Sequence, residues 1–342
     1  MSRDFTWRDA GRTVVFRRGG VGAAVEVLRE HGVGEFELLS TERALVGANR
    51  LMESASRVHL VARGQVPAAA AALMDALAPP PQAEEGVQVR PLVALGGGRV
   101  VDVAKAVAAI SGAEVVAIPT TLSGAEMTGI HRLPEGAEER AKAMARPSLV
   151  IADPEAMTGQ EERDLRASAM NALAHGADTL YLPLSNPVSE MTALRGAALI
   201  ASALDEERET RDRAALALGS ILCGYAIDSA GIGLHHLVCQ TLVRLCGTPH
   251  AETNAAILRP ALAYLAERAP EPYERLASAL STSRNGLAER VAELGRPKRL
   301  GDLGDDAHVD EAIEAMQKRP ELRSVPGPPT REDLMRLVQQ AW

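Results

Sequence analysis

The chain has 342 residues, 46% of them apolar, with a net charge of −8 and a pI near 5.6. That length can bury a sizeable core and favours two domains over one. The acidic balance excludes nucleic acid as the main partner, because phosphate binding needs clustered Lys and Arg. Basic runs such as Arg17-Arg18 are isolated. No uninterrupted apolar window of about 18 residues appears, so nothing reads as a membrane span. The opening stretch MSRDFTWRDAGR is too charged for a secretory signal. Cys223, Cys239 and Cys246 are an odd set without CxxC spacing, which fits free thiols in a reducing compartment. A cytoplasmic enzyme acting on a small molecule is the expectation, with neither nucleic acid nor membrane as partner.

Up to about residue 150, short apolar runs alternate with helical patterns: FELLS, VGANRLMESA, VHLVAR, PAAAAALMDALA, RPLVAL, DVAKAVAAI and VVAIP. Strand-helix alternation of this kind predicts a parallel sheet covered by helices, over residues 1–152. From Asp153 to Trp342 the texture changes to Ala and Leu at helical spacing with few β-branched runs, which predicts an all-helical second domain. VPGPP, residues 325–329, predicts a turn before a last short helix.

ELLSTERAL places Glu42 just after a strand, where a carboxylate accepts from ribose hydroxyls and repels a 2′-phosphate, favouring NAD over NADP. The plainer account is an exposed glutamate. Next comes LVALGGGRVVDVAKAVAAI, a strand, Gly96-Gly97-Gly98, and a helix carrying Asp102 and Lys105. Glycines at such a turn let backbone N–H groups approach a phosphate, and the helix N-terminus favours an anion. A tight turn needing positive φ fits the triplet equally well. VVAIPTTLSGAEMTG then repeats the strand-and-loop form with Thr120, Thr121 and Ser123. Two such loops after neighbouring strands face one crevice in an open α/β sheet.

Together these stretches resemble the iron-containing alcohol dehydrogenase superfamily, and within it the maleylacetate reductases. GGGRVVDVAK, AIPTTLSGAEMT, VIADPEAMT, ASAMNALAHGADTLY, GIGLHHLVCQ, GTPHAETNAAIL, RPKRLGDLG and QQAW all have counterparts in order. The resemblance implies an α/β dinucleotide-binding domain, a helical domain, a cleft between them, NAD(H) as cofactor and a homodimer. It assigns Glu42, Gly97, Gly98, Arg99, Asp102, Thr120, Thr121 and Ser123 to the cofactor, and Asn171, His175, His235, His236 and His250 to catalysis.

Metal-dependent relatives hold their ion with an aspartate and a histidine four residues apart, plus two further histidines. The matching positions here are Asn171, His175, His236 and His250. An amide in place of the carboxylate removes the only anionic ligand, so a bound metal is doubtful; if one is held, His175, His236 and His250 are its ligands. The maleylacetate reductases also carry asparagine there. Their substrate is an enone flanked by carboxylates, and hydride addition to its C=C leaves an enolate that a protonated histidine stabilises.

Several positions depart from the family pattern: Gln240 and Asn254 replace histidines, Arg99 a serine, Arg17 a glycine, Val243-Arg244 a glycine pair, and Leu122 a tyrosine. Arg99 either pairs with the pyrophosphate or blocks it; Arg244 either recognises a substrate carboxylate or fills the nicotinamide's place. Three functions therefore stand. The first is an NADH-dependent reductase of a small oxo or enone carboxylic acid, maleylacetate to 3-oxoadipate being the best single guess. The others are a diverged biosynthetic relative acting on another carbonyl or catalysing a non-redox elimination or cyclisation, and a catalytically idle homologue serving as a binding subunit.

Overall fold

The computed structural model describes residues 11–77, 89–141, 143–304 and 306–342. The opening residues 1–10, on which the signal argument rests, lie outside them. The chain packs as two compact units, one built from residues 11–121 and Ala125–Gly159, the other from Leu122–Gly124 and Gln160–Trp342.

In the first unit, β1 (Thr13–Phe16), β2 (Glu37–Ser40), β3 (Arg57–Leu60), β4 (Leu92–Gly96), β5 (Val115–Pro119) and β6 (Leu149–Ala152) form one sheet in the order β1-β6-β5-β4-β2-β3. Every pairing is parallel. The α/β expectation therefore holds, and the structure adds β1 and β6, each of four residues.

Alternation along the strands divides the core. Leu92, Ala94, Val115 and Ala117 pack with α4 (Val66–Leu77) and α5 (Gly98–Ser111). Val93, Leu95, Val116 and Ile118 pack against α1 (Ala24–Glu30) and α3 (Asn49–Ser54), while α2 (Glu42–Leu45) directly follows β2. A sheet covered on both faces explains strands that are apolar throughout rather than alternating with polar residues. The strand order reverses direction between β2 and β4, so the carboxyl ends of these two strands mark the switch point where open α/β sheets take ligands. A short helix, α6 (Pro154–Met157), closes this unit with Asp153 as its N-cap.

The second unit is helical: α7 (Glu162–Thr179), α8 (Pro187–Asp205), α9 (Arg213–Ala230), α10 (Leu234–Leu245), α11 (His250–Arg268), α12 (Pro270–Ala279), α13 (Leu287–Gly295), α14 (Val309–Gln317) and α15 (Arg331–Ala341). Helix α7 is buried from Leu165 to Thr179 and packs against α8, α9, α10, α11 and α13. A helix with no solvent face has no amphipathic stripe, which accounts for its run of Ala and Gly. Among the described residues no single helix is long and apolar enough to cross a membrane.

The entry to α7 is held by charge. Glu162 accepts from Arg211 at 2.7 and 2.9 Å and from Arg166 at 2.6 Å, and both arginines are buried. The Arg211 hydrogen bonds lead in holding the Glu162 carboxyl down to about 2, with Arg166 adding to them against a smaller opposing effect of burial. A depressed carboxylate pKa stabilises the fold above the unfolded value and loses that contribution as pH falls towards the folded one. Glu162→Gln is expected to lower the helical unit's stability at pH 7 by about 2–4 kcal/mol, since it strands two buried guanidinium groups. Urea unfolding from pH 7 down to about pH 2 should show the gap to wild type closing below pH 4.

Candidate active site

One candidate constellation, in the α/β unit, grows from the β4–α5 turn. Gly97 caps α5 with φ −74° and ψ 179°, extended backbone open to any residue, so the tight turn with positive φ is not what the triplet provides. Space is the constraint: a Cβ on Gly97 would meet Thr121 Cγ2 at 2.9 Å. No side chain caps α5, which leaves its first N–H groups and the positive end of its dipole for an anion.

Gly98, Arg99 and Asp102 lie on the first turns of α5, and Thr120 and Thr121 follow β5, the strand beside β4. Glu42 begins α2 directly after β2, on the other side of β4, and is exposed. These positions gather at the carboxyl ends of adjacent strands. Thr121 Oγ1 and Arg99 Nε are buried atoms with no hydrogen-bond partner among the described residues. An anion with several oxygens would satisfy both, so the cradle fits a pyrophosphate.

A separate constellation lies within the helical unit. Asn171 and His175 are four residues apart on α7, and His235 and His236 open α10. The rings of His175 and His236 stack at 4.5 Å between centroids and 6° between planes. Asn171 Nδ2 donates to the Ser123 carbonyl at 2.8 Å, and Leu122 N donates to Ser168 Oγ at 2.9 Å, which ties residues 122–124 to α7. Gly124 has φ +73°, and a Cβ there would come within 2.9 Å of His175 Nδ1, so this position needs glycine on two counts. Ser123, assigned above with the cofactor residues, thus sits among the imidazoles. His250 is the first residue of α11 and is exposed, as is Arg244 near the end of α10.

One residue at the centre escaped the sequence reading. Asp178 is fully buried and accepts from His236 Nδ1 at 2.8 Å, from the backbone N–H groups of His236 and His235 at 3.3 and 3.4 Å, and from Tyr181 Oη at 3.2 Å. A carboxylate can only accept, so His236 Nδ1 carries the hydrogen and Nε2 is the working atom. That Nε2 is buried with no partner among the described residues. Burial pushes Asp178 up, but the His236 hydrogen bond and the two neighbouring imidazoles outweigh it and hold the carboxyl below its ordinary value. The available signal was an acid one turn after His175, in the alanine-rich second half of α7.

His235 is settled differently. Its Nε2 donates to the Asn254 backbone carbonyl at 2.9 Å, its Nδ1 lies 3.5 Å from His236 Nδ1, and burial followed by the charge of His236 pushes its pKa down to about 3. It is a neutral imidazole at ordinary pH. Asn254 Nδ2 donates to the His250 carbonyl at 2.7 Å, and its buried Oδ1 has no partner among the described residues.

Of the three metal ligands inferred from sequence, His175 and His236 lie as stacked rings. Parallel stacked rings share no in-plane point, so the lone pairs of His175 and His236 do not meet at one ion in this arrangement. The trio that the structure gathers instead is Asp178, His235 and His236, with one donor atom from each lying within 4.8 Å of the others. Imidazole and carboxylate suit zinc or iron, and such an ion would take the place of the hydrogen on His236 Nδ1.

Comparison with known proteins places this organisation among the dehydrogenases. The pattern described as "Iron-containing alcohol dehydrogenase" matches residues 41–154, and that of the "Fe-containing alcohol dehydrogenase family, C-terminal" matches residues 166–342. The chain is 36% identical to the maleylacetate reductase of Burkholderia cepacia over 64% of this chain and 66% of that protein. It is 30% identical to that of Rhizobium sp. (strain MTP-10005) over 88% of this chain and 87% of the other. The crystal structure of maleylacetate reductase from Agrobacterium tumefaciens superimposes with a TM-score of 0.84 at 29% identity, covering 99% of this chain and 98% of that one. The chain belongs to the iron-containing alcohol dehydrogenase family, close to its maleylacetate reductases, and is an oxidoreductase.

A second buried acid lies near the cradle. Glu126 is fully buried, and neither carboxylate oxygen has a hydrogen-bond partner among the described residues. Burial raises its pKa from 4.5 to about 7. A raised carboxyl pKa means that its contribution to stability is complete below the unfolded value and is lost as pH rises through the folded one. Glu126→Gln is expected to match wild type in urea unfolding at pH 4 and to exceed it at pH 8 by on the order of 1–3 kcal/mol.

Proposed function

We propose that the protein is an NADH-dependent reductase of a small oxo or enone carboxylic acid, with maleylacetate to 3-oxoadipate as the first candidate reaction. The observation that carries this reading is His236 Nε2, a buried imidazole nitrogen without a hydrogen-bond partner among the described residues, with Asp178 holding its other nitrogen. The names of the relatives support the substrate class. The uncapped start of α5, with Thr121 and Arg99 beside it, supports a dinucleotide. The Glu42 carboxylate supports NADH over NADPH.

Bound NADH supplies the hydride that reduces the conjugated C=C. The chain's own groups handle the charge that this leaves on the substrate oxygen. In its protonated form His236 donates from Nε2 to the enolate oxygen, and the same nitrogen supplies the single proton that completes the reduction, regained afterwards from water. Asp178 stabilises the imidazolium from the opposite side and fixes which nitrogen faces the substrate. The parallel ring of His175 sets the plane of His236, and Asn171 holds the Ser123–Gly124 turn against that pair. His250, exposed at the start of α11, is the alternative proton donor.

A second reading is favoured by the donor atoms of Asp178, His235 and His236 lying within 4.8 Å of one another. There the three residues would hold a divalent cation, which would supply Lewis-acid polarisation of the substrate oxygen.

Titration with NADH, followed by nicotinamide fluorescence, should saturate below about 1 mM, with NADPH binding more weakly; absence of binding at that concentration defeats the reductase reading. His236→Ala should lower turnover by roughly a hundredfold or more if it is the acid, and an unchanged rate moves the role to His250. Metal analysis of the purified protein separates the two readings. The first expects far less than one equivalent, whereas tightly held zinc or iron that disappears in Asp178→Asn establishes the second.

A further inference from the structure

Lys105 is 0% exposed. A buried ammonium is tolerated only when its charge and all its hydrogens are met. Here Nζ lies 2.8 Å from Asp102 Oδ1 and 2.8, 3.1 and 2.9 Å from the carbonyl oxygens of Ala125, Thr128 and Ile130, with Thr128 Oγ1 at 3.3 Å. The partners fall into two groups. Asp102 belongs to the first turns of α5 and keeps 30% of its side chain exposed on the helix that begins at the cradle. The three carbonyls belong to residues 125–130, which a 3-10 turn at Ala125–Met127 begins and no sheet hydrogen bonds stabilise.

A Leu or Met would fill the same volume but leave three carbonyls buried without donors, so packing alone does not account for a lysine here. The charge does: it attracts Asp102 and collects carbonyls from a segment that has no ladder of its own.

Resting on the reading of this unit as the NADH-binding one, we infer that Lys105 is a positioning residue. It aims the Asp102 carboxylate and fixes the path of residues 125–130, so that cofactor binding and the order of that segment are coupled through one ammonium. Asp102 Oδ1 lies at ion-pair distance from the lysine, a contact that Glu126 in the same segment does not make among the described residues.

The test combines hydrogen exchange with binding. In the wild type, NADH is expected to slow amide exchange in residues 98–105 and 125–130 together. Lys105→Met and Asp102→Asn should each weaken NADH binding by about tenfold or more, raising KM for NADH by more than they lower kcat. The double variant should bind no worse than the weaker single one, because both substitutions break the same link. Asp102→Asn keeps the lysine's carbonyl bonds, so it serves if Lys105→Met does not fold; it should lose the NADH-dependent protection of 125–130. The inference is overturned if NADH protects 98–105 alone, if the two effects multiply, or if folded Lys105→Met binds NADH like the wild type. A wild type that binds no NADH removes the cofactor reading and this inference with it, a result distinct from the other three.

Discussion

The helical unit depends on how one buried carboxylate is satisfied. Asp178 has no exposed surface, so every donor it needs must come from the protein. Two backbone N–H groups from the start of α10, one imidazole and one tyrosine hydroxyl meet it. Because those donors lie on α10 and at Tyr181, the carboxylate caps a helix, selects a histidine tautomer and orients a ring at once. Gly233, the N-cap of α10, has no room for a Cβ beside Asp178 and Tyr181, which brings the helix start close enough for these bonds.

The α/β unit uses the same physics with opposite sign. Lys105 is a buried cation whose acceptors come from one side chain and a run of main-chain carbonyls. In both units the ionised group lies on a long helix, and its partners lie on the next piece of chain that must be held in place. Unpaired burial of either charge would be costly, and that penalty is what makes the local geometry specific.

The departures from the family pattern acquire local explanations. Leu122 is fully buried, an apolar side chain in the turn that carries Ser123 and Gly124. Gln240 accepts from Arg319 Nη2 at 3.4 Å, a role suited to an amide oxygen. The Asn254 side-chain amide donates to the His250 backbone carbonyl at 2.7 Å, beside the main-chain carbonyl that accepts from His235. Nothing in the structure explains Val243.

The sequence by itself determined the elements whose signals are local. Apolar runs of strand length gave β2 to β5, the glycine triplet marked the β4–α5 turn, and i, i+4 spacing placed Asn171 and His175 on one face of α7. Residue types also pointed to an anion cradle and an imidazole cluster, because glycine, threonine and histidine are informative wherever they lie. Only the tertiary structure decided that Asp178 meets a ring 58 residues away, that His175 and His236 stack instead of converging, and that Ser123 joins the helical unit. Those outcomes follow from burial and from the direction of individual donors and acceptors, which depend on how helices pack across long stretches of chain and leave no periodic trace in the order of residues.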